Sequence, residues 1–141
     1  MEESIRQAFG LEAQDLRQCA PLTLAFVGDA VHELVIRTNV ACGPRRQPRH
    51  LHDLSAAFAR ASAQAKMAEL VKGMLTEEEE SWIRRGRNAH AASIAKSASV
   101  GEYRRATGWE CLIGFLYLSG QEQRAIELIC AGVNALDHER D

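Results

Sequence analysis

The sequence has few of the features that mark secreted, membrane-spanning or small metal-binding proteins. Its four cysteines are scattered and form no Cys-x-x-Cys pair, which excludes a zinc knuckle and a thiol redox motif. No apolar run approaches the roughly 18 residues of a membrane span. The acidic start Met1-Glu2-Glu3 is unlike a basic secretory signal. We therefore expect one globular domain over residues 1–141, located in the cytoplasm and without a membrane partner.

A large excess of positive charge is also missing. The 17 lysines and arginines are outnumbered by 19 acidic residues, which gives a formal net charge of −2. This balance argues against a protein that coats nucleic acid with uniform positive charge. It still allows basic residues to be gathered on one face.

Apolar residues recur at three- and four-residue intervals, and no segment has the alternation of a strand, so the predicted fold class is all-α. Two stretches are predicted as connections, residues 45–49 and 89–99. The predicted helices are one or two short ones within Ser4–Arg17, then Pro21 to about Val40, His50–Lys72 with a stop at Gly73, one starting at the Thr76–Glu79 capping box, Val100–Leu118, and Gln121 to about Leu136.

The two most apolar helices each contain one acidic residue in an apolar setting. Asp29 lies in the middle of the Pro21 helix, and Glu110 lies in the Val100 helix. A helix that is apolar on nearly every face is usually buried, and a buried carboxylate needs a positive partner. Gly28 and Gly114 lie near the two acids and would let the helix backbones approach closely. We therefore expect the two carboxylates to meet.

A cation between two such carboxylates would relieve their repulsion. Mg²⁺ commonly binds through one or two carboxylates and takes its other ligands from water and a substrate phosphate. The acid pair thus suits phosphodiester hydrolysis. The alternative is structural, with Asp29 paired to Arg37, or to an arginine of the Arg104-Arg105 turn, and Glu110 paired to the other.

A basic segment precedes the second acidic helix. Guanidinium groups bind phosphate oxygens well, although an isolated basic segment is often only a solvated helix end. Beside a magnesium site, phosphate positioning is the better interpretation. The candidate phosphate-binding residues are Arg85, Arg87, Asn88, Lys96 and Arg104.

The same residues carry a family resemblance. The stretch Phe26 to Glu33 resembles the signature helix of ribonuclease III catalytic domains, and Trp109 to Gly114 resembles their second acidic motif. The complete set of motifs, in their order along the chain, resembles the Mini-III ribonucleases over about residues 20 to 136. Its other members are Leu24–Ala30, Leu51–Leu54, Ser62–Ala65, Thr76–Glu80, Arg85–Ala89 and Tyr103-Arg104.

The chain departs from ordinary ribonuclease III at three acidic positions. Leu22, Ala25 and Thr107 stand where that family usually has acids, and Mini-III enzymes are similar to this chain in lacking them. Asp29 and Glu110 are therefore the expected catalytic residues and the expected metal ligands. We expect one Mg²⁺ per site, which holds the attacking water and neutralises charge on the scissile phosphate. Glu33, one turn after Asp29, is given no catalytic role.

The resemblance further implies an all-α homodimer with the signature helix near its two-fold axis. Recognition of double-stranded RNA would come from the catalytic dimer itself, through phosphates and 2′-hydroxyls. The implied substrate is a precursor of the large ribosomal subunit RNA. The resemblance also allows a ribosomal protein to assist its cleavage. Two other interpretations stay open: an inactive ribonuclease III fold that binds RNA or ribosomes, and a helical interaction module whose acids form ion pairs.

Overall fold

The computed structural model describes residues 1–43, 48–89 and 99–140, and the side chains of these residues except 48–52 and 140. Every regular element in these ranges is helical, which confirms the all-α prediction. Within these ranges, short 3₁₀ turns are formed by Leu16–Gln18 and by Lys72–Met74. The seven α-helices are α1 (Glu2–Phe9), α2 (Pro21–Cys42), α3 (Pro48–Ala59), α4 (Ala61–Leu70), α5 (Glu77–Arg87), α6 (Val100–Leu118) and α7 (Glu122–Arg140).

Helix α6 is the centre of the fold and has the predicted bounds. Ser99 caps its first turn by accepting a hydrogen bond from the Glu102 N–H at 3.1 Å. Residues 111–117 are all buried, and Trp109 and Leu112 are fully shielded from solvent. Helices α2, α4, α5 and α7 pack around it. The core is thus built on the helix that carries Glu110.

Helices α2 and α6 cross at two glycines. A Cβ atom on Gly28 would lie 1.7 Å from the Glu110 carbonyl oxygen, and one on Gly114 would lie 1.9 Å from the Leu24 carbonyl oxygen. No side chain fits at either position, so main chain meets main chain. The close approach expected from the two glycines is confirmed.

The long helix predicted over His50–Lys72 is instead two helices with different starts and ends. Helix α3 begins at Pro48, because proline is well suited to a first helical position, so the prediction of a non-helical stretch was wrong for Pro48 and Arg49. The chain breaks at Arg60, whose ψ of 157° is extended. Gly73 is not the stop either, since α4 already ends at Leu70. Residues 45–47 and 90–98 of the two predicted connections lie outside the described residues.

Helix α5 begins at the predicted capping box. The Thr76 side chain accepts from the Glu79 N–H at 3.1 Å, and the Glu79 carboxylate accepts from the Thr76 N–H at 2.9 Å. Arg124 on α7 also binds the Glu79 carboxylate, with Nε–Oε2 at 2.8 Å and Nη2–Oε1 at 2.9 Å. This ion pair joins the start of α5 to α7.

Helix α2 is buried on one side only. Leu24 and Ile36 are fully buried, but the opposite side exposes Phe26 at 79 % and Leu34 at 49 %. The prediction of a helix buried on every face was therefore wrong for the single chain, because α3 and α6 cover one side of it. None of the described helices is both long and apolar enough to cross a membrane.

Candidate active site

The two predicted acids are brought together where α2 crosses α6. Gly28 lies against the backbone of Glu110, so the next residue, Asp29, reaches the Glu110 side chain. The Glu110 carboxyl group donates a hydrogen bond to the Asp29 carboxylate. Asp29 is exposed, whereas Glu110 is partly covered. The more buried of the two acids is thus Glu110 and not Asp29, because Asp29 lies at the edge of the uncovered side of α2.

Burial and the neighbouring acid both favour a neutral Glu110. Desolvation is the largest cause, and the hydrogen bond and charge of Asp29 add to it, so that the pKa of Glu110 is raised to about 8. A hydrogen bond from the Gln64 side chain acts in the opposite direction. A cation bound beside the two carboxyl groups would favour the ionised form of Glu110 and would therefore act against this shift.

The arginines named in the structural alternative do not neutralise the acid pair. Arg37 forms its ion pair with Glu33, one turn earlier on α2. Neither Asp29 nor Glu110 has an ion-pair partner within 4.0 Å among residues 1–43, 53–89 and 99–139. The ion-pair interpretation is therefore not supported by any described residue.

Asp29 opens onto a cleft between α2 and α3 with a volume of about 250 Å³. Its other lining side chains include Glu33, Arg37, Ser55 and Arg60. Within the described part of the chain, no cluster of three or more His, Cys, Asp or Glu side chains suited to a metal is present. The acid pair could therefore supply two carboxylate ligands, and the cleft leaves room for water and a phosphate group.

The candidate RNA-binding residues are not gathered at the acid pair. Arg85 stacks over Trp82, with Cζ 4.3 Å from the ring centroid, and donates to the Arg17 carbonyl oxygen at 3.0 Å. Arg87 lines a separate cleft with Lys72, Arg84 and Arg105. Among the described residues, neither Arg85 nor Arg87 lines the cleft onto which Asp29 opens.

Of the other three candidates, the structure describes two. Asn88 is the exposed C-cap of α5, and Arg104 is half-buried in the first turns of α6. Lys96 lies outside the described residues. Contact of all five with RNA stays a prediction.

Two residues of the site were not singled out from the sequence, His32 and Gln64. His32 is fully buried one turn after Asp29, and Gln64 is 1 % exposed beside Glu110. Gln64 did give a signal, because it falls on the apolar stripe of its helix, three residues after Ala61 and four before Ala68. A polar side chain at such a position needs a buried hydrogen-bond partner.

Comparison with known proteins agrees with this geometry. The family model described as the ribonuclease III domain matches residues 22–121. Mini-ribonuclease 3 of Enterococcus faecalis is 44 % identical over 118 residues, which cover 82 % of this chain and 89 % of that protein. Mini-ribonuclease 3 of a Thermoanaerobacter species is 35 % identical over 127 residues, covering 90 % of this chain and 89 % of the relative.

A crystal structure shows the same fold. A Fusobacterium nucleatum protein superposes with a TM-score of 0.75 at 30 % sequence identity, covering 86 % of this chain and 98 % of that one. The resemblance to Mini-III ribonucleases is confirmed by these matches. The chain belongs to the ribonuclease III family, within its Mini-ribonuclease 3 group, and is an endoribonuclease of that family.

Proposed function

We propose that the chain is a Mg²⁺-dependent endoribonuclease that hydrolyses phosphodiester bonds in double-stranded RNA, with Asp29 and Glu110 as catalytic residues and metal ligands. The observation that carries this proposal is the contact between the two carboxyl groups, with the pKa of Glu110 raised to about 8. Two carboxyl groups held side by side are well suited to bind a cation, because a cation favours the ionised form of each. Carboxylate oxygens are also the donors that Mg²⁺ prefers.

A bound Mg²⁺ supplies Lewis-acid polarisation of the scissile phosphate and a lowered pKa for the attacking water. The chain contributes the orientation of its two acids. Asp29 reaches the open cleft, while Glu110 is held behind it by the crossing of α2 and α6. Arg60, exposed on the wall of the same cleft, adds positive charge where a phosphate would enter.

The proposed active form is a homodimer that pairs the exposed stripe of α2 with its copy. Leu22, Phe26, Ala30 and Leu34 follow one another at four-residue intervals, and all four are exposed. A large aromatic residue that is 79 % exposed in an apolar stripe favours a protein partner. Identical stripes related by a two-fold axis would cover each other.

The geometry of the site does not identify the RNA substrate, so the proposed substrate rests on the family resemblance. We propose a precursor of the large ribosomal subunit RNA as the target, with Arg85, Arg87, Asn88, Lys96 and Arg104 contacting the duplex. The exposed positions of Arg87 and Asn88 suit contact with phosphates. A ribosomal protein that assists cleavage stays a prediction.

The test is cleavage of a long double-stranded RNA with and without Mg²⁺. We expect the wild type to cut only with the metal and Asp29→Asn to be inactive. Glu33→Gln is the matched control, because it removes a carboxylate from the same helix and the same cleft. Cutting by Asp29→Asn would reject the mechanism. RNA binding without cutting by the wild type would favour the inactive RNA-binding alternative.

The dimer is tested by sedimentation. Phe26→Glu should shift the protein to the monomer, because it places a charge in the exposed stripe. Phe9→Glu is the control, since Phe9 is 76 % exposed on α1, outside the stripe. A monomeric wild type, or equal behaviour of the two variants, would reject this interface.

A further inference from the structure

The end of α3 is attached to the acid site by two buried side chains. Helix α3 ends at Ala59, and carbonyl groups at the end of a helix commonly accept hydrogen bonds from outside it. His32 Nε2 donates to the Phe58 carbonyl oxygen at 2.9 Å, and Gln64 Nε2 donates to the Ala59 carbonyl oxygen at 3.1 Å. Two consecutive carbonyl groups thus bind one side chain from α2 and one from α4.

The second ring nitrogen of His32 continues the chain of contacts to α6. Trp109 Nε1 donates to His32 Nδ1 at 3.0 Å, and the two rings meet edge to face at 82°. Because Nδ1 accepts, the imidazole proton is on Nε2, where it serves the Phe58 carbonyl group. One ring therefore connects α3 with Trp109, the residue immediately before Glu110.

Gln64 makes the corresponding connection to Glu110 itself. Its amide group bonds the Glu110 carboxyl group as well as the Ala59 carbonyl oxygen. Among the described residues, no buried side-chain nitrogen or oxygen lacks a hydrogen-bond partner. A fully satisfied buried network of this kind fixes the orientation of its members.

We propose that His32 and Gln64 are positioning residues for the acid pair. His32 sets the position of the α6 backbone at Glu110, and Gln64 sets the rotation of the Glu110 carboxyl group toward Asp29. This inference rests on the proposed metal-dependent function. If the two residues only stabilised the core, their loss would lower stability without changing how the acids bind a cation.

The experiment measures Mg²⁺ binding to the RNA-free protein by calorimetry, together with kcat and KM on double-stranded RNA. Gln64→Met and His32→Phe keep side-chain bulk but remove the hydrogen bonds. We expect each to weaken Mg²⁺ binding by about 10- to 100-fold, the range typical of partners that orient metal ligands. The change should appear in kcat more than in KM. His32→Gln keeps one donor and one acceptor and should recover most of the affinity.

Glu79→Gln is the matched control for stability. It breaks a buried ion pair with Arg124 on the other side of the core, and it should leave Mg²⁺ affinity unchanged. Unchanged Mg²⁺ affinity in folded Gln64→Met and His32→Phe, with an active wild type, would overturn the positioning role alone. Should His32→Phe not fold, Gln64→Met decides. A wild type that neither binds Mg²⁺ nor cuts RNA would overturn the proposed function and this inference together.

Discussion

Glu79 and Glu110 both pack between helices, but their carboxyl groups lie in opposite charge environments. Glu79 is 5 % exposed, and its carboxylate accepts hydrogen bonds from Arg124 and from the Thr76 N–H. The Arg124 guanidinium, as the largest cause, lowers the pKa of Glu79. Glu110 meets Asp29 instead, and its pKa is raised to about 8. Glu79 has its counter-charge within the chain, whereas Glu110 has no ion-pair partner among the described residues.

This difference separates structural from functional carboxylates more clearly than burial does. Glu79 is more buried than Glu110, and both lie on helices that pack against the core. Only the Glu110 site leaves a charge mismatch in the folded protein. Sites kept in an unfavourable state are commonly those that bind a ligand or perform chemistry.

The largest expected difference between the two glutamates is in catalysis. Glu110→Gln should reduce single-turnover cleavage of double-stranded RNA by on the order of 10³-fold, because a proposed metal ligand is lost. Glu79→Gln should cut at the wild-type rate per folded molecule. Equal losses of cleavage rate in the two variants would show that the two glutamates do not differ in their role in catalysis.

The next largest effect concerns the helix crossing that creates the Glu110 site. Gly28→Ala should lower the free energy of unfolding by about 3 kcal/mol, because its Cβ would lie 1.7 Å from the Glu110 carbonyl oxygen. Gly73→Ala is the control, since its Cβ would meet no atom within 4 Å. Urea denaturation measures both, and a small loss for Gly28→Ala would show that the helices can separate easily.

Stability should change in opposite directions when each glutamate becomes glutamine. Glu79→Gln should lose about 2 kcal/mol, because Arg124 loses a partly buried ion pair that its contacts with Glu127 and the Met74 carbonyl oxygen do not replace. Glu110→Gln should gain on the order of 1 kcal/mol at pH 8 without Mg²⁺, because the repulsion with Asp29 disappears. Denaturant titrations at pH 8 test this pair. A loss of stability in Glu110→Gln would contradict the charge mismatch inferred at the Glu110 site.

The last expected effect is a slope of stability with pH. The pKa of Glu110 is about 8 in the folded protein and near 4.5 when unfolded, so the folded state binds more protons between these values. The Glu110 contribution to stability therefore falls as pH rises from about 4.5 to 8. The lowered pKa of Glu79 acts with the opposite sign, because its contribution is present above 4.5 and is lost in acid.

Thermal unfolding of the wild type and Glu110→Gln across pH 5 to 8 measures this slope. The stability difference between the two proteins should grow with pH and should shrink when Mg²⁺ is added. A constant difference across the range would show that Glu110 is already ionised at pH 5.

Local sequence signals predicted the parts of the fold that local physics controls. The bounds of α6 and the capping box of α5 were predicted correctly, because apolar spacing and caps lie within a few residues. The break at Arg60 was not predicted, since the apolar spacing continues from Phe58 to Ala61 across it. Which way the chain turns there is decided by packing against α2 and α6.

The acid pair was predictable because each acid carries a nearby glycine on an apolar helix. His32 and Gln64 were not predicted. His32 binds a main-chain carbonyl group on α3, which gives no sequence signal, and the place of Gln64 on an apolar stripe indicates a buried partner without identifying it. The exposure of Asp29 was also missed. Apolar residues on every side of α2 indicate burial, but they do not say whether the same chain or another covers them.

The contact of main chain with main chain at Gly28 and Gly114 has a consequence for tolerance to substitution. Where side chains separate two helices, the distance changes when those side chains change. Here the distance is set by backbone atoms that every sequence shares. Apolar substitutions elsewhere in the core can therefore accumulate and alter stability while the separation of Asp29 from Glu110 stays the same.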